Sequence, residues 1–310
     1  MRYPDQEPLP FEDLEEHPTT LPWCQRWRER KHMWRHISEG GFDARRYEVD
    51  RLSEADAEAF VLRHHYAASY PAAVQRFGLY DISTGERRLC GVAVFGVPVS
   101  KAVLTKPLPE LEPYTESLEC SRFVLLDECP GNSESFFLAR CHTELLASGV
   151  RGVVSFADPV PRRTASGILI HRGHCGWIYQ STNGVYAGRA TARTIKLLPD
   201  GSVFHDRAAQ KVRRQEQGHE YAEAQLIALG APVPRAGFNG AAWLREALVA
   251  VGARNVRHRG AHRYVFRLGR SRREREQVKL GLPARQPYPK RPDPEPARSD
   301  EPFRRAPGCG

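Results

Sequence analysis

The stretch that decides the fold runs from Glu119 to Asn183. It reads Glu119-Cys120-Ser121-Arg122, then Pro130-Gly131-Asn132-Ser133-Glu134-Ser135, then Ser155-Phe156-Ala157-Asp158-Pro159, then Gly173-His174-Cys175-Gly176-Trp177-Ile178-Tyr179-Gln180-Ser181-Thr182-Asn183. Apolar runs typical of strands and a helix alternate here with short polar clusters. Open α/β sheets bind ligands at the carboxyl ends of their strands. The pattern therefore predicts a site at such a rim, where an arginine, an aspartate, two tyrosines and a histidine converge.

The elements around this stretch are predicted from hydrophobic periodicity and capping residues. The apolar run Leu89 to Val97 predicts a central strand, because nearly every residue in it is apolar. The first predicted elements are a strand at Arg46–Leu52, a helix capped by Ser53 and running to about His64, and a strand pair at Phe77–Asp81 and Leu89–Val97. Next come a strand at Leu118–Leu126, a helix from Asn132 or Ser133 to about Ser148, a strand at Val150–Phe156, and further central segments at Gly176–Gln180 and Arg193–Leu198. The last are helix over 206–230, a helix capped by Asn239 through Val251, and a closing hairpin of Arg254–Arg257 and His262–Leu268.

This order predicts three parts. Residues 1–45 are expected to form an N-terminal arm and a helix over 23–36 whose one face carries Trp23, Trp27 and Trp34. That face either packs on the body or contacts DNA. Residues 46–269 are expected to form the main domain, with a helical insertion at about 200–255. Residues 270–310 are charged and rich in proline, and we expect a disordered basic tail.

Charge and composition narrow the classes of function. The net charge is 46 − 37 = +9, and the pI near 9.3 fits either a polyanionic partner such as nucleic acid or simply a basic protein. No run of about 18 apolar residues is present, so we expect no membrane span. The N-terminus lacks the apolar segment of a secretory signal. The seven cysteines include no C-x-x-C pair, which favours reduced thiols in a cytoplasmic protein over a disulfide framework.

The order of elements is that of the GNAT acyltransferase fold, and the motifs resemble the Mom family of phage DNA-modification proteins. The resemblance spans about Tyr47 to Leu268. It is carried by His65-Tyr66, Leu89-Cys90-Gly91-Val92-Ala93-Val94-Phe95-Gly96, the segments quoted above, Tyr186, and His262-Arg263-Tyr264-Val265-Phe266. The chain departs from the family pattern in a longer loop between Asp158 and His174, in the helical insertion and in both terminal extensions.

The resemblance implies a GNAT-like enzyme that uses acetyl-CoA to modify N6 of adenine in duplex DNA. The implied product is a methylcarbamoyl-type adenine that protects DNA from restriction. Iron is linked to the family, and the resemblance does not place its ligands here. The family's important positions match Tyr66, Arg122, Asp158 and Tyr179.

Chemical roles can be assigned to these positions, each beside a simpler alternative. Arg122 could hold CoA or a DNA phosphate or orient Asp158, or it could be a surface strand residue. Asp158 could act as a base or accept a hydrogen bond from the adenine amine, or it could cap a loop. Tyr66 and Tyr179 could stack a flipped base or protonate a leaving thiolate, or they could be core tyrosines.

The remaining candidates concern the cofactor and DNA. Backbone N–H groups of Gly131, Asn132 and Ser133 could bind the CoA pyrophosphate at a helix start, or Asn132 or Ser133 could simply cap it. His65 and His174 could bind substrate, ligate iron or shuttle protons. Further candidates for substrate or DNA contact are Ser121, Asn183, Arg162, Arg163 and Arg172, joined for phosphates by Arg189, Arg193, Lys211, Arg213, Arg214 and the cluster Arg270, Arg272, Arg273 and Arg275.

Two other functions compete with DNA modification. One is a GNAT acetyltransferase that acts on a protein or small-molecule amine. The other is a DNA-binding protein that keeps the fold without catalysis. This alternative stays open because a glycine-rich CoA loop is missing and only Gly131 is present at that position.

Overall fold

The computed structural model describes residues 23–36, 41–65, 69–171, 173–235, 237–282 and 286–290. In chain order the elements are β1 (Trp23–Arg28), β2 (Lys31–His36), β3 (Tyr47–Arg51), α1 (Glu54–His64), β4 (Ala73–Asp81), β5 (Arg88–Gly96), α2 (Ala102–Thr105), β6 (Ser117–Leu125), α3 (Ser133–Ala147), β7 (Gly152–Ala157), β8 (Arg162–Arg163), β9 (Leu169–His171), α4 (Trp177–Ser181), β10 (Val185–Arg189), β11 (Arg193–Leu197), β12 (Val203–Phe204), α5 (Asp206–Arg214), α6 (Glu220–Ala228), α7 (Gly240–Ala250), β13 (Arg254–His258), β14 (His262–Arg267) and α8 (Arg272–Gln277).

The central sheet holds seven strands in the order β10-β14-β7-β6-β5-β4-β3. Neighbours are antiparallel except for β6 and β7, which run parallel. A parallel pair needs a crossover, and α3 provides it. Strand β5 is interior, as its apolar sequence predicts. The predicted α/β architecture, a mixed central sheet flanked by helices with a helical insertion near the C-terminus, is confirmed.

Helices cover both faces of this sheet. On one face, Phe137, Leu138 and Leu145 of α3 join the largest core cluster. On the other face, Phe60 and Val61 of α1 pack with residues of β5 and β6. Ser53 caps α1 by accepting a hydrogen bond from the N–H of Asp56 at 3.1 Å, as predicted.

The parallel strands β6 and β7 separate at their carboxyl ends. Their pairing runs from Ser117–Gly152 to Cys120–Ser155 and stops there. Strand β6 remains paired with β5 as far as Leu125, and β7 remains paired with β14 as far as Ala157. A gap therefore opens between the two strands beyond Cys120 and Ser155.

A bulge shapes the β6 side of this gap. Val94 pairs with Arg122 but the next residue, Phe95, pairs with Cys120, so Ser121 is an extra residue in β6. A bulge turns the side chains that follow it. The motif Glu119-Cys120-Ser121-Arg122 thus lies where the strand is locally re-aimed.

The predicted N-terminal helix is wrong: residues 23–36 form the antiparallel hairpin β1–β2. Its turn is Glu29–Arg30, both in the left-handed region with φ of 47° and 65°. Two-residue hairpin turns favour this geometry, but Asn and Gly are its usual residues. The turn docks on α1 through the Arg30 N–H, which donates to the His64 carbonyl at 3.2 Å.

The insertion is a small subdomain with its own core. A three-stranded sheet, β12-β11-β13, carries the three helices α5, α6 and α7. Its core includes Phe204, Val212, Leu226, Trp243 and Leu248. The predicted continuous helix over 206–230 is wrong, because left-handed backbone at Gln215 and Gly218 separates α5 from α6.

Two connecting segments join this inserted subdomain to the central sheet, and they lie side by side. The Ala190 N–H donates to the Ala261 carbonyl at 2.8 Å. Gly260 has a φ of 96°, and a Cβ there would lie 1.9 Å from the Ala190 carbonyl oxygen. The predicted closing hairpin is wrong as well, since β13 pairs with β11 while β14 pairs with β7 and β10.

The C-terminal segment is ordered well past residue 270, contrary to the predicted disorder. Ser271 caps helix α8 by accepting a hydrogen bond from the Glu274 N–H at 3.1 Å, and Glu274 Oε2 accepts one from the Arg270 N–H at 2.8 Å. Val278 is buried among Leu104, Leu108 and Val265. Residues 291–310 of the predicted tail, and residues 1–22 of the predicted arm, lie outside the described residues.

Within the described ranges, none of the helices has the length and apolar character that crossing a membrane requires.

Candidate functional site

Asp158 is the centre of a polar cluster at the end of β7. Its Oδ1 accepts hydrogen bonds from His258 Nε2 at 2.9 Å and from the Val160 N–H at 3.0 Å. Its Oδ2 lies 3.2 Å from an Arg162 guanidinium nitrogen and 3.9 Å from His171 Nε2. Burial alone would raise the pKa of this carboxyl, but Arg162 and His258 outweigh burial and hold the pKa well below its usual range. Asp158 is therefore a fixed negative charge.

Three histidines line the same cluster: His65 and His171 are buried and His174 is half-buried. The rings of His171 and His174 lie 6.0 Å apart, edge to face. His65 follows α1 and is 7% exposed. Burial lowers the pKa of all three, and the nearby Arg122 and Arg162 lower the pKa of His65 further. They are neutral imidazoles at physiological pH.

Arg122 forms the β6 side of the cluster. Its Nε donates to the Ser69 carbonyl at 3.1 Å, and one terminal nitrogen donates to Ser69 Oγ at 2.8 Å. The other terminal nitrogen donates to the Ser121 carbonyl at 2.6 Å. The carbonyl of the bulged residue Ser121 thus helps to fix the arginine.

Glu119 precedes this arginine on β6 and was not predicted as a site residue. Burial raises its pKa from 4.5 to about 7, against the opposing effect of Arg122. It is paired with Val154 of β7, four residues before Asp158, or about 13 Å along an extended strand. A carboxyl group that titrates near neutral pH can accept and return a proton.

The predicted cofactor loop lies at the start of α3. Asn132 is left-handed, with a φ of 71°, and makes no side-chain cap. Ser133 is buried, and its Oγ donates to the Pro130 carbonyl at 2.8 Å. Asn132 thus occupies the N-cap position of α3, as predicted, but without the capping hydrogen bond from its side chain. The first N–H groups of a helix have no intrahelical partner, which suits an anion.

The N-terminal hairpin ties this loop to the polar cluster. Arg26 is fully buried, bonds the Glu134 carboxylate, and donates from Nε to the Cys129 carbonyl at 3.0 Å. The next residue, Trp27, places its ring 6.3 Å from the ring of His65. One strand thus contacts both the α3 start and the cluster.

Two other predicted site residues, Tyr179 and Asn183, have surroundings that differ from those of the polar cluster. The Tyr179 ring packs in the core, with its centroid 5.4 Å from Tyr264 and 6.1 Å from Phe266. Asn183 is exposed in the turn after α4, with a φ of 64°, and its N–H donates to the Gln180 carbonyl at 3.1 Å. These contacts fit the core alternative for Tyr179 and a turn role for Asn183.

The predicted basic site residues also differ in whether they belong to the polar cluster. Arg162 belongs to the cluster, whereas Arg163 donates to the Gly167 carbonyl at 3.2 Å within the β8–β9 loop. Tyr66 and Arg172 lie outside the described residues.

His258 is the second site residue that sequence reasoning missed. It lies 100 positions from Asp158 in the chain, and no motif signals the contact. Glu119, by contrast, stood inside a quoted motif as an acid in an apolar strand, which is a signal that sequence alone offers.

Iron does not fit the described part of the site. Among the described residues, no group of three His, Cys, Asp or Glu side chains is arranged to hold a metal ion. We therefore derive no step through iron.

Comparisons with known proteins bear on this arrangement. The model of the Mom protein family matches residues 46–290, and no curated protein sequence matches the chain. Solved structures similar to the chain include a protein described as a candidate phosphinothricin N-acetyltransferase, at 11% identity and a TM-score of 0.28, over 49% of this chain and 87% of that one. Another is described as a candidate acetyltransferase from Salmonella typhimurium with its cofactor acetyl-CoA, at 13% identity and a TM-score of 0.29, over 46% and 82%. A third is a tandem GNAT protein from the clavulanic acid biosynthesis pathway, at 11% identity and a TM-score of 0.31, over 73% and 75%. Because the family model spans more than three quarters of its length, the chain belongs to the Mom protein family.

Proposed function

We propose that this protein is an acyl-CoA-dependent transferase that modifies N6 of adenine in duplex DNA. One observation carries the proposal: β6 and β7 separate beyond Cys120 and Ser155, with Arg122 on the β6 side of the gap, the Asp158 cluster at the end of β7, and Glu119 in the last paired residues of β6 before the gap. Membership of the Mom family supports the choice of DNA adenine as the acceptor.

The start of α3 would hold the acetyl-CoA pyrophosphate. The backbone N–H groups of Gly131 and Asn132 are the proposed donors, since the Ser133 N–H donates to the Pro130 carbonyl at 3.3 Å. The left-handed Asn132 gives the loop a conformation usually reserved for glycine, which offsets the missing glycine-rich sequence. Arg26 compensates the charge of Glu134 beside this anion site.

Glu119 is the proposed proton acceptor. When the bond between N6 and the acyl carbon forms and the thioester C–S bond breaks, the amine loses a proton and the thiolate needs one. This step gives an N6-acyl adenine and not the methylcarbamoyl group that the resemblance implies, because acetyl-CoA supplies no nitrogen. Glu119, with a pKa of about 7, takes the first proton and supplies the second. Asp158 is too acidic for this role, so we assign it to holding Arg162 and the histidines in place.

The protein would bind DNA through its phosphates, and the target base would be extruded from the duplex to reach the site. Exposed basic residues on the inserted subdomain include Arg193, Arg213 and Arg214. Each contributes little alone, but phosphate contacts together make affinity fall steeply with salt. N6 of a paired adenine is inaccessible to an enclosed site, so the target base must leave the stack.

Nucleoside mass spectrometry tests the proposal. DNA from cells that express the chain should contain an adenine nucleoside of increased mass, and DNA from cells that express Glu119→Gln should contain far less. An unchanged nucleoside profile with folded wild-type protein present would refute DNA modification. Acetylation of a protein or small-molecule amine without any need for DNA would favour the alternative acetyltransferase.

A further inference from the structure

The inserted subdomain contributes one side chain directly to the polar cluster. His258 is the last residue of β13, is 4% exposed, and donates from Nε2 to Asp158 Oδ1 at 2.9 Å. The subdomain was expected only as a helical insertion. It also forms part of the site wall.

The tautomer of His258 follows from its second contact. The Gly260 N–H donates to His258 Nδ1 at 3.0 Å. A backbone N–H can only donate, so Nδ1 must be an unprotonated acceptor. The proton of the neutral ring is therefore on Nε2, which faces Asp158.

This contact restricts how the Asp158 carboxylate can turn. His258 and the Val160 N–H together occupy Oδ1, which leaves Oδ2 directed at Arg162 and His171. Without His258, Oδ1 would keep the Val160 bond alone, and the carboxylate could rotate away from the arginine.

We propose that His258 is a positioning residue for the reaction: through Asp158 it sets Arg162 and His171, and so makes the inserted subdomain a required part of the active site. This inference rests on the proposed function. It assigns His258 no contact with substrate.

The test compares His258→Ala and His258→Gln with a matched control, His142→Ala. The Gln side chain can place an N–H near the position of Nε2. His142 is a half-buried histidine of α3 that packs against Phe266 at a ring distance of 4.8 Å, outside the site. Adenine modification is measured in vitro with purified protein, and each rate is corrected for the folded fraction.

We expect His258→Ala to lower kcat by about 10-fold to 100-fold with little change in KM, which is the range for a misplaced functional group. His258→Gln should recover most of that loss. His142→Ala should lose stability but keep the rate per folded molecule. A wild-type rate for His258→Ala, or a His258→Gln variant as slow as His258→Ala, would overturn the inference.

A spectroscopic readout separates this inference from the proposed function. In wild-type protein with ¹⁵N-labelled histidine, the His258 ring should show the proton on Nε2. A proton on Nδ1 would overturn the positioning role whatever the activity. If wild-type protein leaves adenine unmodified while the ring shows Nε2–H, the proposed function fails and the geometry of His258 stands.

Discussion

Glu119 lies in β6 and Asp158 directly follows the adjacent strand β7, and the surroundings of these two acids move their pKa values in opposite directions. Asp158 follows β7 and is held by Arg162, His258 and a backbone N–H, so its pKa lies far below its usual range. Glu119 lies within β6, where burial dominates and raises the pKa to about 7. The two groups have the same chemistry and similar burial but different partners.

The difference assigns their roles. When two carboxyl groups in one site have pKa values that are pushed apart, one serves as a fixed charge and the other as a proton carrier. Here the ion-paired aspartate keeps its charge, and the sparsely paired glutamate titrates near neutral pH. From sequence alone, Asp158 had the alternatives of base, hydrogen-bond acceptor or loop cap, and Glu119 had no assigned role.

The largest expected effect is that of Asp158→Asn, which removes the fixed charge. Arg162 would lose its carboxylate partner in a buried setting, at a cost of about 3–5 kcal/mol in the free energy of unfolding. Adenine modification should be abolished. Denaturant unfolding and nucleoside analysis check both results. A variant of wild-type stability would show that Asp158 is not the charge that holds the cluster.

Glu119→Gln tests the other half of the comparison. The rate should fall by about 100-fold to 10,000-fold, the usual contribution of a general base. The fold should persist, because Gln has the shape of Glu and no charge to bury. Rate measurements across pH give a second check: the wild-type rate should rise as pH passes about 7, whereas the residual rate of the variant should be flat over that range. An unchanged rate would remove Glu119 from the mechanism.

The stability of the folded protein should also depend on Glu119. Its folded pKa of about 7 exceeds the ordinary value of 4.5, so the folded state holds the proton more tightly than the unfolded state. The resulting stabilisation is complete below pH 4.5 and is lost as pH rises towards 7. It amounts to at most about 3 kcal/mol.

The measurement is the difference in unfolding free energy between wild type and Glu119→Gln across this pH window. Asp158 contributes with the opposite sign, since its lowered pKa gives stability that is lost as pH falls below its ordinary value of 3.8. A constant difference between wild type and Glu119→Gln would contradict the raised pKa.

The smallest expected effect concerns Arg122, whose charge lowers the pKa of Glu119. Arg122→Met should move the midpoint of the pH–rate profile to higher pH. Arg122→Lys keeps the charge and should leave the midpoint close to that of wild type, even if the absolute rate falls. Equal midpoints in the two variants would show that the charge of Arg122 does not act on Glu119.

Most of the central sheet could be predicted, because its interior strands have strong local signals. Strand β10 was missed: the predicted central segments Gly176–Gln180 and Arg193–Leu198 are helix α4 and strand β11 of the inserted subdomain. The apolar run of β5, the Ser53 cap and the alternation of strand and helix from β6 to β7 all agree with the observed topology. The hairpin at 23–36 could not be identified from the tryptophan spacing, since Trp23 and Trp27 are four apart and fit both a helix and a strand. Its turn, Glu29–Arg30, has neither glycine nor asparagine to mark it.

The candidate site was predictable only in part, for a related reason. Arg122, Asp158, Arg162 and His174 lie near strand ends, which the order of elements reveals. His258 reaches Asp158 from a subdomain inserted far along the chain, and no local pattern records such a contact. The helix-capping Ser271 was readable in the sequence, but the high charge of the segment obscured it.

The close approach of Ala190 to Gly260 has a consequence for engineering this chain. Arg193 and His258 are paired residues of neighbouring strands, so the polypeptide leaves the main body and returns to it at a single point. The inserted subdomain could therefore be deleted as one unit, because its two ends lie near enough for a short artificial turn to join them. The shortened protein would retain every strand of the seven-stranded sheet, and homologous subdomains could be exchanged at the same junction.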